Sequence, residues 1–459
     1  MTAQPPLARP GAATAASPND PATAQFGHLP LRSPEDIRRV LLRREEVALI
    51  DVRDEHLFAQ AHPLWAANFP VIRLELEAWR RLPRRDVPIV VYDNGEGLAD
   101  TAARRLQALG YTEVALLDGG LAGWRAAGFE VFQDVNAPSK AFGELVEARR
   151  HTPSLSAPEV LALLEGDTPV VVLDARRFDE YQTMAIPGGI SVPGGELVRR
   201  ARDLAPDPST QIIVNCAGRT RSIIGAQSLI NAGIPNPVAA LRNGTIGWTL
   251  AAQTLAHGQS ARHEDVPVGD VAAVRRNAAE LARRAGVRRI DVPQLNDWLA
   301  DDRRTTYLFD VRGAAEYEAG HRPGFRHVPG GQLVQETDHQ APVRGARLVL
   351  TDDDGVRANM AASWLAQMGW EVVVLPPDDD AHTETGPSPV SHADLRDGLT
   401  VAEIDAASRA SRYRRPYEGT DNPLAAMQAY LDWEFGLVAQ LDKDGTHFFK
   451  VLPASTASS

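Results

Sequence analysis

A chain of 459 residues exceeds one ordinary hydrophobic core, and at roughly 100–200 residues per domain it calls for three or four units. Its apolar share of 44% and charged share of 24% are those of a globular protein, while a net charge of -12 argues against general affinity for nucleic acid or anionic membrane. One cysteine in the whole chain excludes an internal disulfide and a thiolate zinc site.

Residues 1–27 are rich in Ala, Pro and Thr. They carry neither a cationic start with an apolar core nor a spanning stretch, so the expectation is a disordered leader and a cytoplasmic location. From residue 28 to 135 the pattern is strand, excursion, strand, loop, helix. The run Val47 to Arg53 ends in Asp-x-Arg, Pro88 to Tyr92 is a second apolar run, Asp93 opens the loop, and Gly110 closes the helical stretch 99–109. The unit finishes on Asp118-Gly119-Gly120 and Trp124.

After a link at 136–153, residues 150–257 repeat the pattern, with Val170 to Arg176, Gln211 to Asn215, the loop at Cys216, a helical stretch 223–232, and Arg242-Asn243-Gly244 with Trp248. Residues 258–288 contain a helical run, 271–284. A third, shortened copy at 289–377 follows with Thr306 to Arg312, Ala346 to Thr351, a loop at Asp352 and a helix at 358–368. In each copy the Asp of Asp-x-Arg stands 42 residues before the loop residue (51 and 93, 174 and 216, 310 and 352), and His62, Ala185 and His321 each stand 11 residues after their Asp. Gap-free register of this kind marks an internal repeat. Alternation of short strands and helices predicts three tandem α/β units, each a mostly parallel sheet with helices on both faces and its ligand beyond the carboxyl ends of the strands. Residues 378–459 do not repeat the unit. They read as an acidic linker, a helix at 422–435 and a hairpin over 438–451 turning at Asp444-Gly445, with no chemistry assigned.

The chemistry falls on Cys216. Ala217-Gly218-Arg219-Thr220-Arg221-Ser222 follow it and then a helix begins, so the sulfur is expected in a crown of main-chain amides at a helix N-terminus. Such amides, with Arg219 and Arg221, favour the thiolate, which is the nucleophile. An isolated Cys is otherwise a small buried hydrophobe, but two cations within five residues of a lone sulfur in an acidic chain weigh against that.

Together, Asp174-Ala175-Arg176, Ile186-Pro187-Gly188, Val192-Pro193-Gly194-Gly195 and Cys216 to Ser222 resemble a rhodanese domain, and the other two copies resemble it at matching positions, over roughly residues 30 to 377. The resemblance implies a sulfurtransferase in which Cys216 takes sulfane sulfur from thiosulfate or a related small anionic donor, becomes a persulfide and passes the sulfur to cyanide or a thiol, without a cofactor or metal. Ala217 to Ser222 would bind the substrate, while Asp174 and Arg176 would brace the loop. Arg221 would either attract the donor or pin the loop through an acidic neighbour. Alternatives are a persulfide relay serving a partner protein, an interaction scaffold with an incidental cysteine, and a phosphatase or arsenate reductase, although those use a loop one residue longer than Cys216 to Arg221. The sequence departs from the family in carrying Ala185 where a histidine is common. Asp93 and Asp352 cannot form a persulfide, so their copies are expected to be silent, with His62 and His321 making turn hydrogen bonds.

Overall fold

The computed structural model describes residues 28–378, 383–388 and 399–454. The expected leader at 1–27 and parts of the acidic linker, 379–382 and 389–398, lie outside them. Three sheets are present, one per repeat, and each is built around the two apolar runs singled out above.

In the second unit the order is Ser154–Leu155, Val238–Leu241, Gln211–Asn215, Val170–Asp174 and Ile190–Ser191, with every pair parallel. The third unit repeats this with Arg288–Arg289, Glu371–Val374, Arg347–Thr351, Thr306–Asp310 and Arg326–His327. In the first, the order is Leu31–Arg32, Val114–Leu117, Ile89–Tyr92 and Val47–Asp51, and the last also pairs with Ala67–Asn68. β-Branched residues make up most of Ile89–Tyr92, Val170–Asp174 and Gln211–Asn215, since they fit a surface buried on both faces. One strand crosses between repeats: Val343–Arg344 of the third unit lies antiparallel to Val47 and Ala48 of the first.

Some helices begin where side chains satisfy their free amides. Ser33 accepts from the Asp36 amide ahead of Pro34–Arg43, and Ser156 with Glu159 forms a capping box ahead of Ala157–Glu165. The helix of each unit that follows its loop runs over Ala99–Ala108, Thr220–Asn231 and Arg357–Gln367.

Two expectations need correction. The stretch read as a link, 136–153, is a 14-residue helix, Ala137–Arg150, with most of its first ten residues buried. Pro138 does not break it, because proline in the first turn removes an amide that has no partner anyway. The expected hairpin at 438–451 is absent: the C-terminal helix runs through from Leu424 to Asp444, and Gly445, at φ +68°, is its left-handed cap. No helix among the described residues is long and apolar enough to cross a membrane.

Candidate active site

Cys216 stands directly beyond Gln211–Asn215, a strand flanked on both sides, and the chain then turns into Thr220–Asn231. Its thiol is within 3.4 Å of the Ser222 hydroxyl, which itself donates to the Arg219 carbonyl at 2.9 Å. The loop carbonyls are held from behind by the N-terminus of Gly244–Leu250, where the Thr245 amide donates to the Cys216 carbonyl at 2.9 Å and the Ile246 amide to that of Ala217 at 3.0 Å. Gly244, at φ +55°, permits this: a Cβ there would sit 2.2 Å from the Cys216 carbonyl oxygen. Gly120 repeats the arrangement in the first unit, 2.6 Å from the Asp93 carbonyl oxygen by the same measure, with the Leu121 amide donating to that oxygen.

Asp93 and Asp352 stand where the second unit has Cys216. Asp93 accepts from the amides of Gly95, Leu98 and Ala99 at 2.6–3.0 Å. Asp352 accepts from those of Gly355 and Ala358 at 2.9 and 3.0 Å. In the first and third units the loop amides therefore enclose an oxygen acceptor supplied by the same loop. The positions equivalent to these donors in the second unit are Gly218, Arg219, Arg221 and Ser222. Burial and the neighbouring Asp354 push the Asp352 carboxyl up to about 7. Among the described residues, no group of three or more His, Cys, Asp or Glu is placed to hold a metal ion.

Both loop arginines are committed to carboxylates. Arg221 makes a two-pronged pair with Glu180 at 2.7 and 2.9 Å, and its charge is the first of the influences that draw the Glu180 carboxyl down to about 2 against the cost of burial. Arg219 pairs with Glu144 at 2.7 and 2.9 Å and with Glu147, and lies over the Phe435 ring. Because the folded-state value of Glu180 lies below its ordinary 4.5, the pair contributes stability above that value and loses it as pH falls toward 2. Glu180→Gln should therefore lower the midpoint of denaturant unfolding at pH 7, and the difference from wild type should vanish near pH 2. Equal midpoints at pH 7 would contradict this.

Asp174 and Arg176 form a buried two-pronged pair at 2.9 and 2.7 Å, Asn215 donates to Asp174 at 2.7 Å, and Arg176 reaches the Met184 carbonyl at 2.6 Å. The first and third units repeat this, with Arg53 reaching Ala61 and Arg312 reaching Gly320. His62 has its two ring nitrogens 2.9 Å from the carbonyl oxygens of Pro63 and Asp134, one of which accepts its single N–H, and stacks on Phe58, while His321 bonds the Tyr317 carbonyl and stacks on its ring.

The thiol is more enclosed than the sequence implies. Cys216 is 1% exposed, and burial pushes its thiol up, outweighing the downward pull of Arg221 and Ser222. The C-terminal tail packs on the loop just after Cys216: Ala217 lies in a cluster with Ile246, Tyr417, Met427, Tyr430 and Leu431. The expected depression fails here because a closed site withholds the water that would stabilise a thiolate.

The rhodanese-like domain model matches residues 33–127, 156–251 and 291–376, more than half of the chain. The chain belongs to the rhodanese-like family. It is similar over 93% of its length, and over all of the other chain, to the crystal structure of a thiosulfate sulfurtransferase from Pseudomonas aeruginosa, with 53% identity and a TM-score of 0.87. Shorter matches are to the "Putative thiosulfate sulfurtransferase SseB" of Mycobacterium tuberculosis, 33% identical over 125 residues, and to the "Putative sulfur carrier protein YrkF" of Bacillus subtilis, 28% identical over 100 residues. These take in 25% and 21% of this rhodanese-like chain and 43% and 51% of the two relatives, so the chain spans about half the length of the curated relatives it matches.

Sequence reasoning did not find Glu144, Glu147, Glu180, Tyr430 or Glu434. Only Glu180 left a signal: it and Glu316 both stand six residues after their Asp, and Arg221 and Arg357 both stand five after the loop residue. Arg357 pairs with Glu316 as Arg221 does with Glu180.

Proposed function

We propose that the protein is a sulfurtransferase that carries sulfane sulfur as a persulfide on Cys216, taking it from thiosulfate or a related anion. The observation that carries this reading is the pair of carboxylates held by the loop amides of the silent copies, since a persulfide on Cys216 would present its terminal, negatively charged sulfur to the equivalent amides. The similarity to a thiosulfate sulfurtransferase over nearly the whole chain supports the choice of donor.

In the first half-reaction the Cys216 thiolate attacks the outer sulfur of thiosulfate. A new S–S bond forms, the bond to the sulfonate sulfur breaks, and sulfite leaves with that electron pair. In the second, cyanide or a thiolate attacks the outer persulfide sulfur, and the Cys216 thiolate departs with the electrons of the broken bond. Arg221 holds the loop through Glu180, and the Asp174–Arg176 pair braces the strand end beneath it. The amides of Ala217 to Ser222 bind the sulfur.

Incubation of the purified chain with thiosulfate should add 32 Da to Cys216, and cyanide should then release thiocyanate and remove the added mass. Failure of every sulfane donor to load the protein would end this reading. Asp93→Ala and Asp352→Ala should leave loading unchanged while each lowers stability by about 1–3 kcal/mol, because buried amides lose their acceptors. Loss of loading in either would make the silent copies participants.

A further inference from the structure

The tail that the repeat leaves unexplained packs on the sulfur-bearing loop, against Ala217 and Gly218, with the Glu434 charge felt at the Cys216 sulfur. Gly218 has no room for a side chain: its Cβ would stand 3.0 Å from a Glu434 carboxyl oxygen and 3.1 Å from the Tyr430 ring. Glu434 is 1% exposed. One of its oxygens accepts from the Tyr430 hydroxyl at 3.0 Å, and the other is buried without a hydrogen-bond partner. Such a group is costly to enclose and is the weak point of whatever it closes.

A second part of the same tail frames a cavity of about 540 Å³ beside the catalytic unit. Arg409, Arg412, Arg414 and Arg415 line it together with Arg176, Arg177 and Arg221, so seven guanidiniums face four carboxylates. Six of the seven are ion-paired, Arg176 with Asp174, Arg177 with Asp179, Arg221 with Glu180, Arg412 and Arg415 with Glu418 and Arg414 with Asp421, so the cavity offers a small anion a dense set of guanidinium donors in exchange for these partners rather than a large excess of charge. Arg221 connects the two features, since it lines the cavity and its charge acts on the Cys216 sulfur.

We propose that the C-terminal segment is a gate: the helix Leu424–Asp444 lifts from Cys216 to admit a small anionic sulfur donor gathered in the arginine-lined cavity, with Glu434 as the latch. The inference rests on Cys216 being the sulfur carrier. A closed loop with an enclosed thiol cannot be attacked in line by a dissolved anion, so the cover moves or the reaction does not occur.

The latch has a pH sense. Lys140 and Glu144 from the helix Ala137–Arg150, Cys216 and Arg219 from the loop and Tyr430 on its own helix all act on Glu434, and burial pushes its carboxyl up to about 8. Closing therefore takes up a proton between the ordinary value of 4.5 and about 8, and the lid opens more readily as pH rises across that window.

The test is alkylation of Cys216 in the full chain by neutral iodoacetamide and anionic iodoacetate, followed by mass spectrometry and normalised at each pH to the urea-unfolded chain. The folded protein should react about 100-fold more slowly than the unfolded one, and Tyr430→Ala or Met427→Ala, checked for folding by circular dichroism, should recover about tenfold. Glu434→Gln should remove the normalised rise between pH 5 and pH 8. Folding should favour iodoacetate relative to iodoacetamide, and Arg412→Gln with Arg415→Gln should abolish that preference. Folded wild type reacting as fast as unfolded chain, or lid variants without effect on the rate, would overturn the gate. An unchanged ratio of the two reagents on folding would overturn the anionic route. If the alkylation pattern holds but no sulfane donor loads the protein, the gate stands and the sulfurtransferase reading falls.

Discussion

Cys216→Ser should abolish sulfur loading from thiosulfate and thiocyanate formation to the limit of detection while leaving the fold intact. The substitution exchanges one small buried side chain for another, and the Ser222 hydroxyl at 3.4 Å remains available to the new oxygen. A hydroxyl at this position has no thiolate-like nucleophile to offer at neutral pH, and the chain holds no other sulfhydryl to compensate. Intact-mass analysis after incubation with thiosulfate checks the loss. Residual loading of the serine variant would mean that the added sulfur resides elsewhere.

Gly244→Ala should be nearly as damaging, although residue 244 never meets substrate. Its Cβ would lie 2.2 Å from the Cys216 carbonyl oxygen and 2.9 Å from the Ala217 carbonyl carbon, both main-chain atoms that cannot rotate away. The left-handed backbone at φ +55° adds a smaller penalty. Relief requires the helix Gly244–Leu250 to back off, which breaks the bonds from Thr245 and Ile246 that fix the loop. A loss of about 3 kcal/mol in unfolding free energy follows from overpacking and lost bonds, and sulfur loading should slow by 100-fold or more because displacement of a catalytic group by about 1 Å carries that cost. Urea denaturation and the loading rate test the two parts separately. Wild-type values for both would show that the loop does not depend on this contact.

What could be read from the sequence was whatever is enforced locally. The Asp-x-Arg pairs bond within two residues of each other, and the turn eight residues later receives the same guanidinium, so their spacing survives in all three copies. The loop position and its following helix were legible for the same reason. The rest lies in contacts between segments far apart in the chain. Glu144 and Glu147 reach Arg219 from a helix whose Pro138 resembles a break, and Glu434 reaches the loop from more than 200 positions away. Gly445 is ambiguous on its own, because a left-handed residue ends a helix as readily as it turns a hairpin. The state of the thiol is not legible in the sequence, because oriented amides and cations are visible as residue types, whereas the cover that excludes water is not.

Pro193-Gly194-Gly195 and Pro329-Gly330-Gly331 meet back to back across the second and third units, where a methyl on Gly195 would come within 2.9 Å of the Gly331 nitrogen and one on Gly331 within 2.8 Å of the Gly195 nitrogen. Each glycine follows its own Asp by 21 positions, so the contact joins like to like. At this point the two units touch through equivalent residues, as identical subunits do on a two-fold axis, whereas the ion pairs around it, Arg357–Glu196 and Arg199–Asp354, run one way only. Neither glycine has room for a side chain while the other keeps its place, so the second and third units are fitted to each other at this point.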